Sequence, residues 1–161
     1  MKSLIVFYSN TGNTLKLAKV LADKLESETL EIKDQRSRNG LIGFLRAGFD
    51  AITSNVTIIE NFNLELSEYD LVIIGTPIWA GRITPAIRTF LIGNSTVLPE
   101  VAFFTTHAGG GSSKALLQLE DLAEKEPLAC LSIEKEIIKE SSIQSNQEID
   151  KYVKTLQNKF D

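Results

Sequence analysis

The stretch LIVFYSNTGNTLKLAKVLADKL (4–25) holds one of each element that the chain repeats. Residues 4–8 are a short β-branched and aromatic run, the pattern of a strand buried on both faces. Ser9, Asn10, Thr11 and Gly12 break that run with hydroxyls, an amide and a glycine. Leu15, Ala18, Leu21, Ala22 and Leu25 then fall on one helical face. A strand, a polar turn and an amphipathic helix in immediate succession make the first half of a parallel βαβ unit.

The pattern recurs outward from there. TLEIK (29–33), LVIIG (71–75), VAFFTT (101–106) and LACLSI (128–133) are further strand-like runs. Between and after them Ile83, Ile87, Phe90 and Leu91 share a helical face, as do Leu116, Leu119, Leu122 and Ala123. Ile149, Tyr152, Val153 and Leu156 repeat the pattern near the C-terminus. The class is α/β: a doubly wound, five-stranded parallel sheet with helices on both faces. The second run alternates, Leu30 and Ile32 against Thr29, Glu31 and Lys33, which marks an edge strand. The fifth has a short apolar core followed by Glu134, Lys135 and Glu136, read as a solvated strand end, and suits the other edge. Right-handed crossovers then give the order 2-1-3-4-5. The connection 34–69 is long; within it GLIGFLRAGFDAI (40–52) has helical period, and residues 56–59 suit a short extended piece. The wide apolar face of 40–52 suits packing on the domain or on a second subunit, so a homodimer is an open expectation. No linker or repeat divides the chain, so 1–161 reads as a single domain.

Composition bounds the function classes. With 43% apolar and 24% charged residues among 161, the chain reads as soluble and globular. One cysteine, Cys130, and one histidine, His107, exclude an internal disulfide and a Cys- or His-cluster metal site. Cys130 reads as an inert core residue in mid-strand. A net charge of −4 argues against a duplex nucleic-acid binder. No run has membrane-span length and none reads as a targeting segment, so no membrane role is expected and the cytoplasm is the expected compartment.

In a doubly wound sheet, ligands bind beyond the carboxyl ends of the strands. Ser9, Asn10, Thr11, Gly12, Asn13 and Thr14 lie at such an end and open a helix, where free N–H groups and the helix dipole favour an anion. The turn has no Lys or Arg, so a phosphate monoester there is held by neutral donors. It is neither a Walker loop nor a GxGxxG loop. An ordinary helix cap made by these Ser, Thr and Asn residues is the competing reading. After the third strand, Pro77, Ile78, Trp79, Ala80 and Gly81 place the single tryptophan on a loop, suited to stacking on a flat ligand or to folding back on the core. After the fourth, Thr105, Thr106, His107, Ala108, Gly109 and Gly110 lead into a triple glycine that offers backbone or mobility rather than packing. Taken alone, His107 reads as a solvated loop histidine. Strands one, three and four are adjacent, so the three loops converge on a site for a planar ring with a phosphorylated tail.

With these residues in place the sequence resembles the flavodoxin-like family. SNTGNT (9–14) matches that family's phosphate loop, GTPIWAGRITPAIRTFL (75–91) its second flavin loop, and TTHAGGG (105–111) its third. GFLRAGFDAI (43–52) is similar to a segment of small bacterial and archaeal members. The resemblance implies non-covalent FMN. Its phosphate would lie on Ser9 to Thr14, and its ring against Pro77 to Gly81 with Trp79 against or beside it. Thr105 to Gly110 would line the other side. The chain departs from electron-carrier flavodoxins: the second loop reads Trp79-Ala80-Gly81-Arg82, and the third has neither Asp nor Tyr. Carboxylates near a flavin disfavour its reduced anion, and a cation such as Arg82 does the reverse. Arg36, Arg38 and Arg46 add basic charge after strand two.

Three functions follow as expectations. The first is an electron carrier between redox partner proteins, in which Gly81 supplies a backbone flip toward the one-electron-reduced flavin. The second is an NAD(P)H-dependent FMN oxidoreductase passing electrons to a quinone or similar small acceptor. The third is a non-catalytic binding or regulatory protein with an empty site. Family and size favour the first narrowly. His107 is the one candidate for proton transfer, and no other catalytic residue is assigned.

Overall fold

The strand-like runs all join one sheet. In the computed structural model, which describes residues 1–35, 55–139, 143 and 146–160, β1 (Ser3–Phe7) leads through a turn into α1 (Asn13–Leu25) and edge strand β2 (Glu28–Glu31). β3 (Leu71–Pro77), α2 (Pro85–Asn94), β4 (Glu100–His107) and α3 (Ser112–Ala123) follow. β5 (Cys130–Glu134), the short α4 (Lys135–Lys139) and α5 (Gln147–Gln157) complete the described chain. The sheet is parallel throughout, in the order β2-β1-β3-β4-β5. The helix expected over 40–52, with Arg36, Arg38 and Arg46, lies outside the described residues. The extended piece expected at 56–59 is present: Asp34 and Ile59 form an antiparallel bridge, and Gln35 N–H donates to the Ile58 carbonyl at 2.9 Å.

Strand periodicity divides the core in two. Leu4, Val6, Val72, Ile74, Val101 and Phe103 face α2 and α3. Ile5, Phe7, Leu71, Ile73, Ala102 and Phe104 face α1 and α5. Gly75 stands opposite Phe104 in the β3–β4 register, and a Cβ there would lie 2.0 Å from the Phe104 ring. Glycine is thus the price of seating that phenylalanine. The buried face of α1 is shifted from the one its period predicts: Ala18, Leu21 and Leu25 are buried, Leu15 and Ala22 only partly, and Thr14, Leu17 and Val20 are covered too, because the helix packs on the sheet and also on α4 and α5. In α3 the buried line is Ala115, Leu119 and Ala123, with Leu116 and Leu122 at its flanks.

Two expectations near β5 are corrected. Cys130 opens that strand rather than sitting within it, and it is exposed rather than core. Desolvation, and then the Glu120 carboxylate, raise its thiol above its ordinary value, which disfavours the thiolate. No described helix is long and apolar enough to cross a membrane.

Candidate functional site

The turn after β1 is built differently from an ordinary cap. Gly12 occupies the N-cap of α1 at φ +88°, in the left-handed region that glycine favours, and no side chain caps the helix from that position. Ser9 Oγ instead reaches in from outside and accepts the Leu15 N–H at 3.2 Å. Asn13 Nδ2 donates to Thr11 Oγ1 at 3.2 Å, stiffening the turn. The N–H groups of Asn13 and Thr14, the first two helical residues, have no intrahelical partner by geometry and carry the positive end of the helix dipole.

The other two loops are tied to this turn. Thr14 and Thr106 share a buried hydroxyl–hydroxyl hydrogen bond of 2.8 Å, joining α1 to the end of β4. Ile78 N–H donates to the Thr106 carbonyl at 2.8 Å, joining the second loop to the same strand. Trp79 and Arg82 exchange backbone hydrogen bonds of 2.9 and 3.0 Å. Ala80 and Gly81 between them lie at φ +50° and +73°, a two-residue turn with both central residues left-handed. That turn fixes Trp79, whose ring also meets Tyr8 edge-on at 5.7 Å and 88°. Trp79 therefore does both things weighed for it: it packs on the core and it lines the site.

The triple glycine is corrected in one respect. Gly111, at φ +83°, caps α3, and a Cβ there would lie 2.9 Å from Gly81 Cα. The third glycine is thus a packing contact between loops, backbone against backbone.

A cavity of about 180 Å³ opens where the loops meet, lined by Asn10, Thr11, Asn13, Thr14, Pro77, Ile78, Trp79, Thr106, His107, Ala108 and Lys135. Ten of these are among the residues singled out from sequence. Ser9, Gly12, Ala80, Gly81, Gly109 and Gly110 shape the turns without lining the cavity. Thr105 faces elsewhere, its hydroxyl donating to Ser132 Oγ at 2.9 Å. His107 is the last residue of β4 rather than a solvated loop residue, and its buried Nδ1 has no hydrogen-bond partner.

By sequence Lys135 belongs to a solvated charged run; in the structure it lines the cavity. β5 passes directly into α4, so Lys135 stands at the carboxyl edge of the sheet beside the other loops. The rule that parallel strands present their following loops at one edge is the signal that would have found it. Among the described residues, the side chains lining the cavity include no carboxylate. Among the described residues no group of three or more His, Cys, Asp or Glu is placed to hold a metal ion.

Over 94% of this chain and 97% of the other, the structure superposes with a TM-score of 0.73 and 26% identity on a flavoprotein from Lactobacillus acidophilus solved in complex with FMN. The fold is the flavodoxin-like one. A flavodoxin from the domain Archaea, 14% identical with a TM-score of 0.61, aligns over 99% of this flavodoxin-like chain and 98% of its own. Among curated sequences, an NAD(P)H dehydrogenase (quinone) from Archaeoglobus fulgidus is 28% identical over 92 residues. That match takes in 55% of this chain, which spans about half, 48%, of the relative's length. No family model matches.

Proposed function

We propose that this flavodoxin-like chain binds FMN and works as a redox protein, taking electrons from NAD(P)H and passing them to a quinone or similar small acceptor. The observation that carries FMN is the start of α1: a left-handed glycine cap and unpaired first-turn N–H groups open into a cavity walled by Trp79. The donor set fits the cofactor. Thr11, Asn13 and Thr14 offer hydroxyl, amide and backbone donors to a phosphate dianion, and Lys135 adds one positive charge at the cavity. His107 Nδ1, buried and without a partner, offers a polar contact to a ring edge.

Bound FMN supplies hydride acceptance and one-electron release, while the chain supplies binding and electrostatics. Charge favours the reductase over the carrier. A low-potential carrier is served by carboxylates around the ring, and here the described cavity lining has none and includes Lys135. The Archaeoglobus relative bears a name of the same reaction class. Transfer between protein partners is the second reading, supported by the structural likeness to a flavodoxin.

One anaerobic experiment separates them. FMN is added, the spectrum is followed with NADPH, and dithionite is added last. Bleaching by NADPH supports the reductase. No bleaching over minutes followed by reduction with dithionite leaves the carrier. No FMN uptake at all ends both readings and favours a non-catalytic binding protein.

A further inference from the structure

Arg88 is the only charged residue of α2, and it is only 7% exposed. Its Nε and Nη2 are both shut off from solvent and have no hydrogen-bond partner. Those two nitrogens form one edge of the guanidinium, the fork whose parallel N–H bonds match two oxygens of a carboxylate or phosphate. Leaving such a fork buried and unpaired is costly, and a second cation makes it more so. Burial lowers the Arg88 pKa from its ordinary value, and the charge of Arg82 lowers it further. Arg88 N–H donates to the Thr84 carbonyl at 3.0 Å, which places the residue one turn into α2. A helical side chain there leans back toward the helix start, the end nearer the Trp79–Arg82 turn.

We propose that the Nε–Nη2 edge of Arg88 is a receptor for one oxyanion, a carboxylate or phosphate on a small molecule. That this molecule is the electron donor or acceptor rests on the function proposed above; the receptor itself does not. A small molecule is the fitting source because the fork has no solvent-facing atoms. A side chain on a flat protein partner cannot bring two oxygens onto it.

The test uses FMN-loaded protein, so that the start of α1 is already filled, with inorganic phosphate and acetate as probes. Phosphate at about ten times its Kd is expected to raise Tm by about 3–6 °C and to shift the ¹⁵N signal of Arg88 Nε. Arg88→Lys, which keeps charge without the fork, is expected to lose most of that gain, and Arg88→Met all of it. Arg88→Met is also expected to be at least as stable as the parent in anion-free buffer. An equal gain in Arg88→Met, or an unmoved Nε signal, overturns the proposal. So does a large drop in Tm on Arg88→Met without anion, which reveals an internal partner. Should that variant fail to fold, Arg88→Lys and the Nε signal of the parent decide. An Arg88-dependent preference for NADPH over NADH of about tenfold in KM assigns the anion to the nucleotide's extra phosphate. Equal use of both assigns it to the acceptor or to free anion. Repeating the phosphate arm without FMN separates the two readings: a chain that takes no FMN yet keeps the Arg88-dependent shift refutes the flavin reading alone.

Discussion

The hydrogen bond between Thr14 and Thr106 pins the turn after β1 to the end of β4, and a double-mutant cycle measures that pin. Both hydroxyls are buried, at 2% and 3% exposure, and lie 2.8 Å apart. Thr14→Val keeps the shape but strands the Thr106 hydroxyl. Leaving one buried polar group unpaired costs about 1–3 kcal/mol. Thr106→Val does the reverse at a similar cost. The double variant removes both polar groups from one contact, so its loss is expected to be near zero and at most about 1 kcal/mol. The coupling, the two single losses less that of the double, is then about 1–6 kcal/mol, well outside the ~0.5 kcal/mol within which independent sites add. Urea denaturation of the cofactor-free protein reads it. With a slope of about 1–3 kcal/mol per molar, each single variant moves the midpoint by very roughly 0.5–2 M while the double stays near the parent. A double variant whose loss equals the sum of the singles refutes the reasoning, because the two hydroxyls then do not depend on one another.

Other outcomes are as definite. Trp79→Ala is expected to weaken FMN binding in a fluorescence titration by at least roughly 2- to 13-fold, from an aromatic contact of about 0.5–1.5 kcal/mol; unchanged affinity removes Trp79 from the site. Gly111→Ala forces a Cβ to 2.9 Å from Gly81 Cα at φ +83°, and the left-handed strain alone is about 1–2 kcal/mol. Thermal melting is expected to fall by at least about 2–8 °C, and an unchanged Tm shows that the two loops do not touch. Tyr152→Phe removes a buried hydroxyl that has no partner, so stability at pH 7 is expected to hold or rise. The same variant bears on alkaline pH. Desolvation first, and Cys130 second, hold the Tyr152 phenol well above its ordinary 10.0, so the folded state keeps a proton that the unfolded chain releases. That contribution is whole below pH 10 and is lost as pH climbs toward the folded pKa. Melts from pH 7 to 11 are expected to show a shallower alkaline fall in Tyr152→Phe, and an identical fall assigns the loss to other groups.

The order of the strands was legible because it needed only two facts about burial. The alternation of Leu30 and Ile32 against charged neighbours and the short apolar core of β5 put those strands at the edges, and the crossover rule supplied the rest. Helix faces were legible where one side alone is covered, as in α5, whose Ile149, Tyr152, Val153 and Leu156 are all buried. They were less so in α1, which has neighbours on two sides, and in α3, where alanines rather than leucines make the closest line. A hydrophobic pattern reports which residues tolerate burial, not how many surfaces arrive to bury them.

The site divides the same way. The strand-to-helix turns of Gly12, Thr14 and Trp79 were legible because turn chemistry is local: Gly12 caps α1, and Thr14 and Trp79 line the cavity. Lys135 and Gly111 were missed because each owes its role to an element distant in sequence. Lys135 looks like any charge in a solvated run until β5 and α4 are seen to join at the crowded edge of the sheet. Gly111 looks like spare mobility until Gly81 is seen against it. Arg88 is the same problem with the sign reversed. Its one visible mark in sequence is that it is the only charge in PAIRTFLIGN, a helix otherwise apolar or small. Burial turns that mark into a demand, because a desolvated guanidinium with an unpaired fork is stable only where something else meets its cost. A charge that the fold does not neutralise points to a ligand that does.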